Sequence, residues 1–134
     1  MDTSETNVKM CEKAGEIQDV WVYMLGDFFA DRDRDWGISH KTVEILREKN
    51  LTWLPRQDQL QKMLGWNVKK LVSELDDFLF VDDDYGKLAN ATLEKRNAQR
   101  KYASQFTSME QLWLALVMKE KYGKVWNGED WVKK

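Results

Sequence analysis

Three aspartates alternate with arginines in the string DRDRDWG, which begins at Asp31. Their spacing matches positions 1, 3 and 5 of a calcium-binding loop. Such a loop also needs glycine at position six and glutamate at position twelve. Those positions hold Trp36 and Thr42, and the two arginines neutralise the acids. The string is therefore predicted to be a solvated, self-paired loop rather than a calcium site.

Other residues that could do chemistry are few. His40 is the only histidine, and its neighbour Ser39 is adjacent in sequence, which is not triad geometry. Cys11 is the only cysteine and falls at an apolar helical position, so a core thiol is predicted. The acids Asp82–Asp84 lie on a predicted turn and would point in different directions, a poor magnesium site. No phosphate-binding glycine motif occurs. We therefore assign no catalytic residue, no metal ligand and no cofactor.

A basic string, EKRNAQRKY, covers residues 94–102. Arg96, Arg100 and Lys101 could contact phosphates, and Tyr102 could stack on a base. The net charge of −2 and the neighbouring acidic block at 74–84 argue against this use. Nucleic-acid binding is accordingly the alternative function rather than the main one.

Seven tryptophans in 134 residues is a high number. Several are expected in the core, but Trp36, Trp126 and Trp131 have polar neighbours. Tryptophan is enriched at the energetic centres of protein interfaces. These three residues therefore form the predicted interaction surface, with core packing as the competing interpretation.

The length and composition predict one α+β domain over residues 1–134, with residues 1–7 frayed. The β-branched and aromatic residues of about 20–54 favour a small antiparallel sheet or hairpin. Residues 40–49 fit either a strand or a helix that follows Ser39. Three to five helices are expected to pack on the sheet, with 108–121 as the core helix.

Local signals place the helices. Val8–Gln18 follows a possible cap at Asn7, and Arg56–Leu64 ends at Gly65. Residues 87–103 fit helix or loop, and the string KVWNGEDWV predicts a hairpin with an Asn-Gly turn. The remaining signals are a cap at Asn67, an apolar stripe of Val68, Leu71, Leu75, Phe78 and Leu79, a capping box from Thr107 to Glu110, and a C-terminal glycine at Gly123.

The chain shows no signal peptide and no apolar stretch long enough to span a bilayer. A single cysteine suits a reducing compartment. We therefore expect a cytoplasmic protein without membrane contact.

Four strings carry a resemblance to a known family: WLPRQDQLQKML (53–64), SMEQLWLALVMKEKYGKVWNGEDWV (108–132), CEKAGEIQ (11–18) and GDFF (26–29). They resemble a family of small uncharacterised proteins from phages and prophages of Gram-positive bacteria. The resemblance covers about half of the chain and implies a phage-derived accessory protein in the cytoplasm of a bacterial host. It implies no activity and no site residue.

The expected function is a non-enzymatic module that binds a protein of the host or the phage. The alternatives are nucleic-acid binding and an enzyme that uses scattered carboxylates. Homodimerisation through exposed tryptophan is a further expectation.

Overall fold

The computed structural model describes residues 1–38, 50–79 and 93–134 and confirms the α+β class. The described part contains six helices and five strands. In chain order they are α1 (Glu5–Lys13), α2 (Gly15–Asp19), β1 (Phe28–Ala30), β2 (Trp36–Ile38), β3 (Thr52–Leu54), α3 (Gln57–Leu64), α4 (Val68–Leu79), α5 (Leu93–Ser104), α6 (Met109–Tyr122), β4 (Lys124–Trp126) and β5 (Trp131–Lys133).

The predicted core helix is confirmed as α6. Six consecutive residues, 113–118, are buried, and α6 makes its most extensive helix contact with α3. Ser108 caps the helix, since its Oγ accepts from the backbone N–H of Gln111 at 3.2 Å. The cap is thus one residue later than the predicted Thr107. Gly123 ends the helix in the left-handed conformation, with φ of 63°.

The first predicted helix is divided in two. α1 begins at Glu5 with Ser4 as its cap, so the predicted cap Asn7 is instead a buried residue of the first turns. Residues 5–7 are helical, which differs from the expected frayed end. The helix breaks at Ala14, whose ψ of 67° interrupts the hydrogen-bond ladder, and α2 follows.

The three-stranded sheet has the order β2-β1-β3, and both pairings are antiparallel. It begins at Phe28, so residues 20–27 are a loop and not the predicted start of the sheet. Gly37 allows close packing here, because a Cβ at this position would lie 2.9 Å from the Phe29 ring. β4 and β5 form the predicted hairpin, with Trp126 paired to Trp131.

α3 ends at Gly65 with φ of 65°, as predicted. Asn67 precedes α4, and its Oδ1 accepts from the backbone N–H of Lys70 at 2.9 Å. The predicted apolar stripe of α4 is confirmed at four of its five residues: Phe78 is buried, and Leu71, Leu75 and Leu79 are partly buried against the core. Val68, the first residue of the stripe, is 75% exposed.

The stretch 87–103, which fitted helix or loop, is helical from residue 93 onward, and this helix, α5, ends at Ser104. The strand-or-helix alternative at 40–49, with His40, lies outside the described residues, and so do Asp82–Asp84. Within the described ranges, none of the helices combines the length and apolar character that crossing a bilayer requires.

Candidate interaction surface

The loop that joins α2 to β1 is organised by one buried carboxylate. Asp27 is 1% exposed and accepts hydrogen bonds from the indole of Trp21 at 2.9 Å and the backbone N–H of Met24 at 3.1 Å. Gln59 Nε2 on α3 donates to it at 2.7 Å. The Arg56 guanidinium lies 3.7 Å away and supplies the opposite charge. A buried charge needs such partners, so Asp27 joins both sides of the loop to α3.

Aromatic packing fixes the start of the same loop. The Trp21 ring stacks on Trp53 of β3 at a centroid distance of 5.9 Å and an interplanar angle of 4°. The Tyr23 ring lies 4.0 Å from Trp21. At the other end, Gly26 has φ of 89°, and its carbonyl accepts from Arg56 at 3.3 Å. The loop therefore has a defined conformation.

The tip of this loop is apolar and open to solvent. Val22 and Leu25 are each 77% exposed, Met24 is 65% exposed and Val20 is 52% exposed. We call these four residues the apolar loop. Four large exposed apolar side chains within six residues of an anchored segment are typical of an interaction site.

Trp36 is the one predicted surface tryptophan that lies at the surface. It is 53% exposed on β2, and its ring is 6.1 Å from Phe28. Ile38, two residues on, is 39% exposed and points to the same face of the sheet.

The assignment of Trp126 and Trp131 to an interaction surface is wrong. They are 4% and 8% exposed and pack against each other at 5.1 Å. The Trp131 indole donates to the carbonyl of Met10 at 2.9 Å, and the backbone N–H of Trp126 donates to the hydroxyl of Tyr102 at 3.1 Å. Both tryptophans hold the C-terminal hairpin in the core.

The basic string lies on α5. Arg100 and Lys101 are exposed there, while the side chain of Arg96 is outside the described part of the chain. Tyr102, the predicted stacking platform, packs edge-on against Phe78 and Phe106. Burial raises its pKa, although the hydrogen bond from the Trp126 backbone opposes this effect. Tyr102 is therefore a packing residue and is not presented to a base.

The alternating aspartates form the turn between β1 and β2. Asp31 Oδ1 accepts from the backbone N–H groups of Asp33 at 2.9 Å and Asp35 at 3.0 Å. Arg34 pairs with Glu5 on α1 at 2.7 Å. The carboxylate that would start a calcium loop thus stabilises its own turn. No group of three or more potential metal ligands occurs among the described residues.

Cys11 and Asp58 are two further side chains with reactive chemistry. Burial raises the pKa of Cys11, which is 1% exposed, so the core-thiol prediction is confirmed. An open cleft of about 480 Å³ is lined by Phe28, Arg56 and Asp58 among others. In this cleft Asp58 is paired with Arg56 at 3.1 Å and is exposed to water.

Asp27 and the apolar loop were missed at the sequence level. The signal available was an unbroken apolar run, VWVYML, that ends in Gly26 and Asp27 without the alternation of a strand. Comparison of the chain with family models, curated proteins and solved structures finds no match.

Proposed function

We propose that the protein is a non-enzymatic binding module that uses the apolar loop, Val20, Val22, Met24 and Leu25, to contact another protein. The observation that carries this proposal is the anchoring of an exposed apolar segment by the buried carboxylate of Asp27. A loop that is already ordered loses little conformational entropy when a partner covers it. The resemblance to phage and prophage proteins supplies the context, in which the partner is a protein of the phage or its bacterial host.

The charge around the loop favours a protein over a lipid surface. Residues 14–31 contain four acids and no lysine or arginine. Arg56 does contact the loop, but its charge is paired with Asp27 and Asp58. Loops and helices that bind anionic membranes combine apolar side chains with basic ones. An apolar groove on a protein fits the loop better.

The test compares two matched substitutions. Leu25→Asp changes the tip of the apolar loop, and Val68→Asp changes a similarly exposed residue on α4 (77% and 75% exposed). We expect a bacterial or phage protein to be retained from lysate by the native chain and by Val68→Asp, and to be lost with Leu25→Asp. Direct titration of the retained protein should then show at least about a tenfold loss of affinity for Leu25→Asp.

Two outcomes would contradict the proposal. One is equal retention by both variants, which would place binding elsewhere. The other is sedimentation of the native chain with phosphatidylcholine–phosphatidylglycerol vesicles that is abolished by Leu25→Asp, which would make the loop a membrane contact.

A further inference from the structure

The two edges of the three-stranded sheet differ in their hydrogen bonding. At the β3 edge, the side-chain amide of Gln18 lies against Trp53: the Trp53 N–H donates to Gln18 Oε1 at 2.7 Å, and Gln18 Nε2 donates to the Trp53 carbonyl at 3.1 Å. The amide thus satisfies both backbone groups that an added strand would use. This edge is closed by the protein itself.

The contacts of Trp53 also fix the direction of every backbone group in β2. Because the backbone of Trp53 points away from β1, its partner Phe29 must point toward β2 and bond to Gly37. Antiparallel pairing alternates, so Trp36 and Ile38 point their N–H and C=O groups outward. The backbone hydrogen bond from Asp31 N to Asp35 O supports this assignment. Asp31 and Asp35 are two residues beyond Phe29 and Gly37 in the same register, and hydrogen-bonded pairs recur at every second residue.

The outer edge of β2 is therefore open as far as the described residues show, since none of them bonds to it. The side chains beside this edge are Trp36 and Ile38, which are 53% and 39% exposed. Proteins normally cover or charge such an edge, and here both side chains are apolar.

We propose that β2 pairs antiparallel with β2 of a second copy of this chain, about a two-fold axis at Gly37. This register is self-complementary. Trp36 of each copy faces Ile38 of the other in a hydrogen-bonded pair. The two N–H groups and two carbonyls that each copy points outward from Trp36 and Ile38 then all have partners on the other copy. Gly37 of one copy lies opposite Gly37 of the other at the two-fold axis, as a pair without hydrogen bonds between them. Backbones approach most closely at such a pair, and glycine has no side chain to clash there.

The dimer extends the sheet to the strand order β3-β1-β2-β2-β1-β3. Trp36 of one copy then lies beside Ile38 and Phe28 of the other, because Phe28 is opposite Ile38 on the same face. The apolar loop is left uncovered, since it joins the opposite face through the stack of Trp21 on Trp53. A three-residue strand gives an interface below the size of stable dimers, so the association is weak and concentration-dependent.

The first test uses the native chain. Sedimentation velocity from micromolar to near-millimolar concentration should show a reversible monomer–dimer equilibrium. Amide hydrogen exchange measured by NMR should slow at Trp36 and Ile38 as concentration rises, while Gly37, bonded within the copy, should stay protected throughout. A monomer at every concentration, or exchange at Trp36 and Ile38 that is independent of concentration, would overturn the proposal.

The second test uses matched charges. Ile38→Lys should weaken dimerisation at least about tenfold, because two cross-strand pairs are lost by symmetry. Val132→Lys is the control, since Val132 is also 39% exposed and lies on β5. Adding Trp36→Glu to Ile38→Lys should recover association, as opposite charges then face each other across the axis. Equal effects of the two lysine variants, or no recovery, would rule out this register.

Discussion

The part of the chain that the structure describes contains two short hairpins of similar build that differ in what covers them. β1–β2 and β4–β5 are each made of three-residue strands joined by a polar, acidic turn, and each carries tryptophan. Trp36 of the first is 53% exposed, whereas Trp131 of the second is 8% exposed.

The C-terminal hairpin is held by side chains of α1 and α2. Lys9 pairs with Glu129, Lys13 with Asp130 at 3.0 Å, and Glu16 with Lys124. Among the described residues, the first hairpin has one comparable link, from Arg34 to acids of α1. Both hairpins are linked to α1 by ion pairs, but only the second places its tryptophan indole against α1, where it donates to the Met10 carbonyl. A tryptophan beside polar residues is therefore buried where another element packs on its ring and supplies a hydrogen-bond partner.

The largest expected difference between the hairpins is in the free energy of unfolding lost when the tryptophan of each is replaced by alanine. Trp131→Ala should lower the free energy of unfolding by about 3–5 kcal/mol, because it leaves a cavity and a carbonyl without its donor. Trp36→Ala should change it by less than about 1 kcal/mol. Urea denaturation of both variants measures this, and similar losses would show that the two hairpins are equally covered.

The next effect concerns the anchor of the apolar loop. Asp27→Asn should cost about 3 kcal/mol, since it leaves buried donors facing an amide and removes the charge that opposes Arg56. It should also increase chymotrypsin cleavage at Trp21 and Tyr23. Asp58→Asn is the control, because Asp58 also pairs with Arg56 but is exposed, and should cost less than about 0.5 kcal/mol. Equal stability of the two variants would mean that Asp27 does not anchor the loop.

A smaller effect depends on pH. Burial would raise the pKa of Asp2, but hydrogen bonds from Ser108, Ser4 and Gln111 outweigh it and hold this pKa below 3.8. The carboxylate therefore contributes stability that is complete above the ordinary value and is lost as pH falls through the lower, folded value. Asp2→Asn should cost about 1 kcal/mol near neutral pH and flatten the acid limb of a stability–pH curve. An unchanged acid limb would contradict this.

The smallest effect is that of the ion pairs on the C-terminal hairpin. Both members of the Lys13–Asp130 pair are about half exposed, so Lys13→Ala should cost less than about 1 kcal/mol and should cost less still at high salt. A double-mutant cycle with Asp130→Ala isolates the coupling. A coupling well above 1 kcal/mol would show that this pair, rather than the buried indole of Trp131, holds the hairpin.

Local sequence was sufficient for several elements. The apolar pattern of α6 and the left-handed glycines Gly65 and Gly123 were predictable because caps and periodicity act over a few residues. The exact cap was missed at α6, where Thr107 and Ser108 are both suitable and the contacts of Gln111 select Ser108. The break at Ala14 was also missed, since Gly15 only weakened the expected helix.

The sequence by itself determined the α+β class, the core helix, the helix-ending glycines and the turn of the C-terminal hairpin, because these depend on neighbours in the chain. Only the tertiary structure decided which tryptophans are buried. The Trp131 indole finds the Met10 carbonyl 121 positions away, and Gln18 closes the edge of β3 at Trp53, 35 positions away. Hydrogen-bond partners at such separations leave no local pattern, so the same residue type is core in one hairpin and surface in the other.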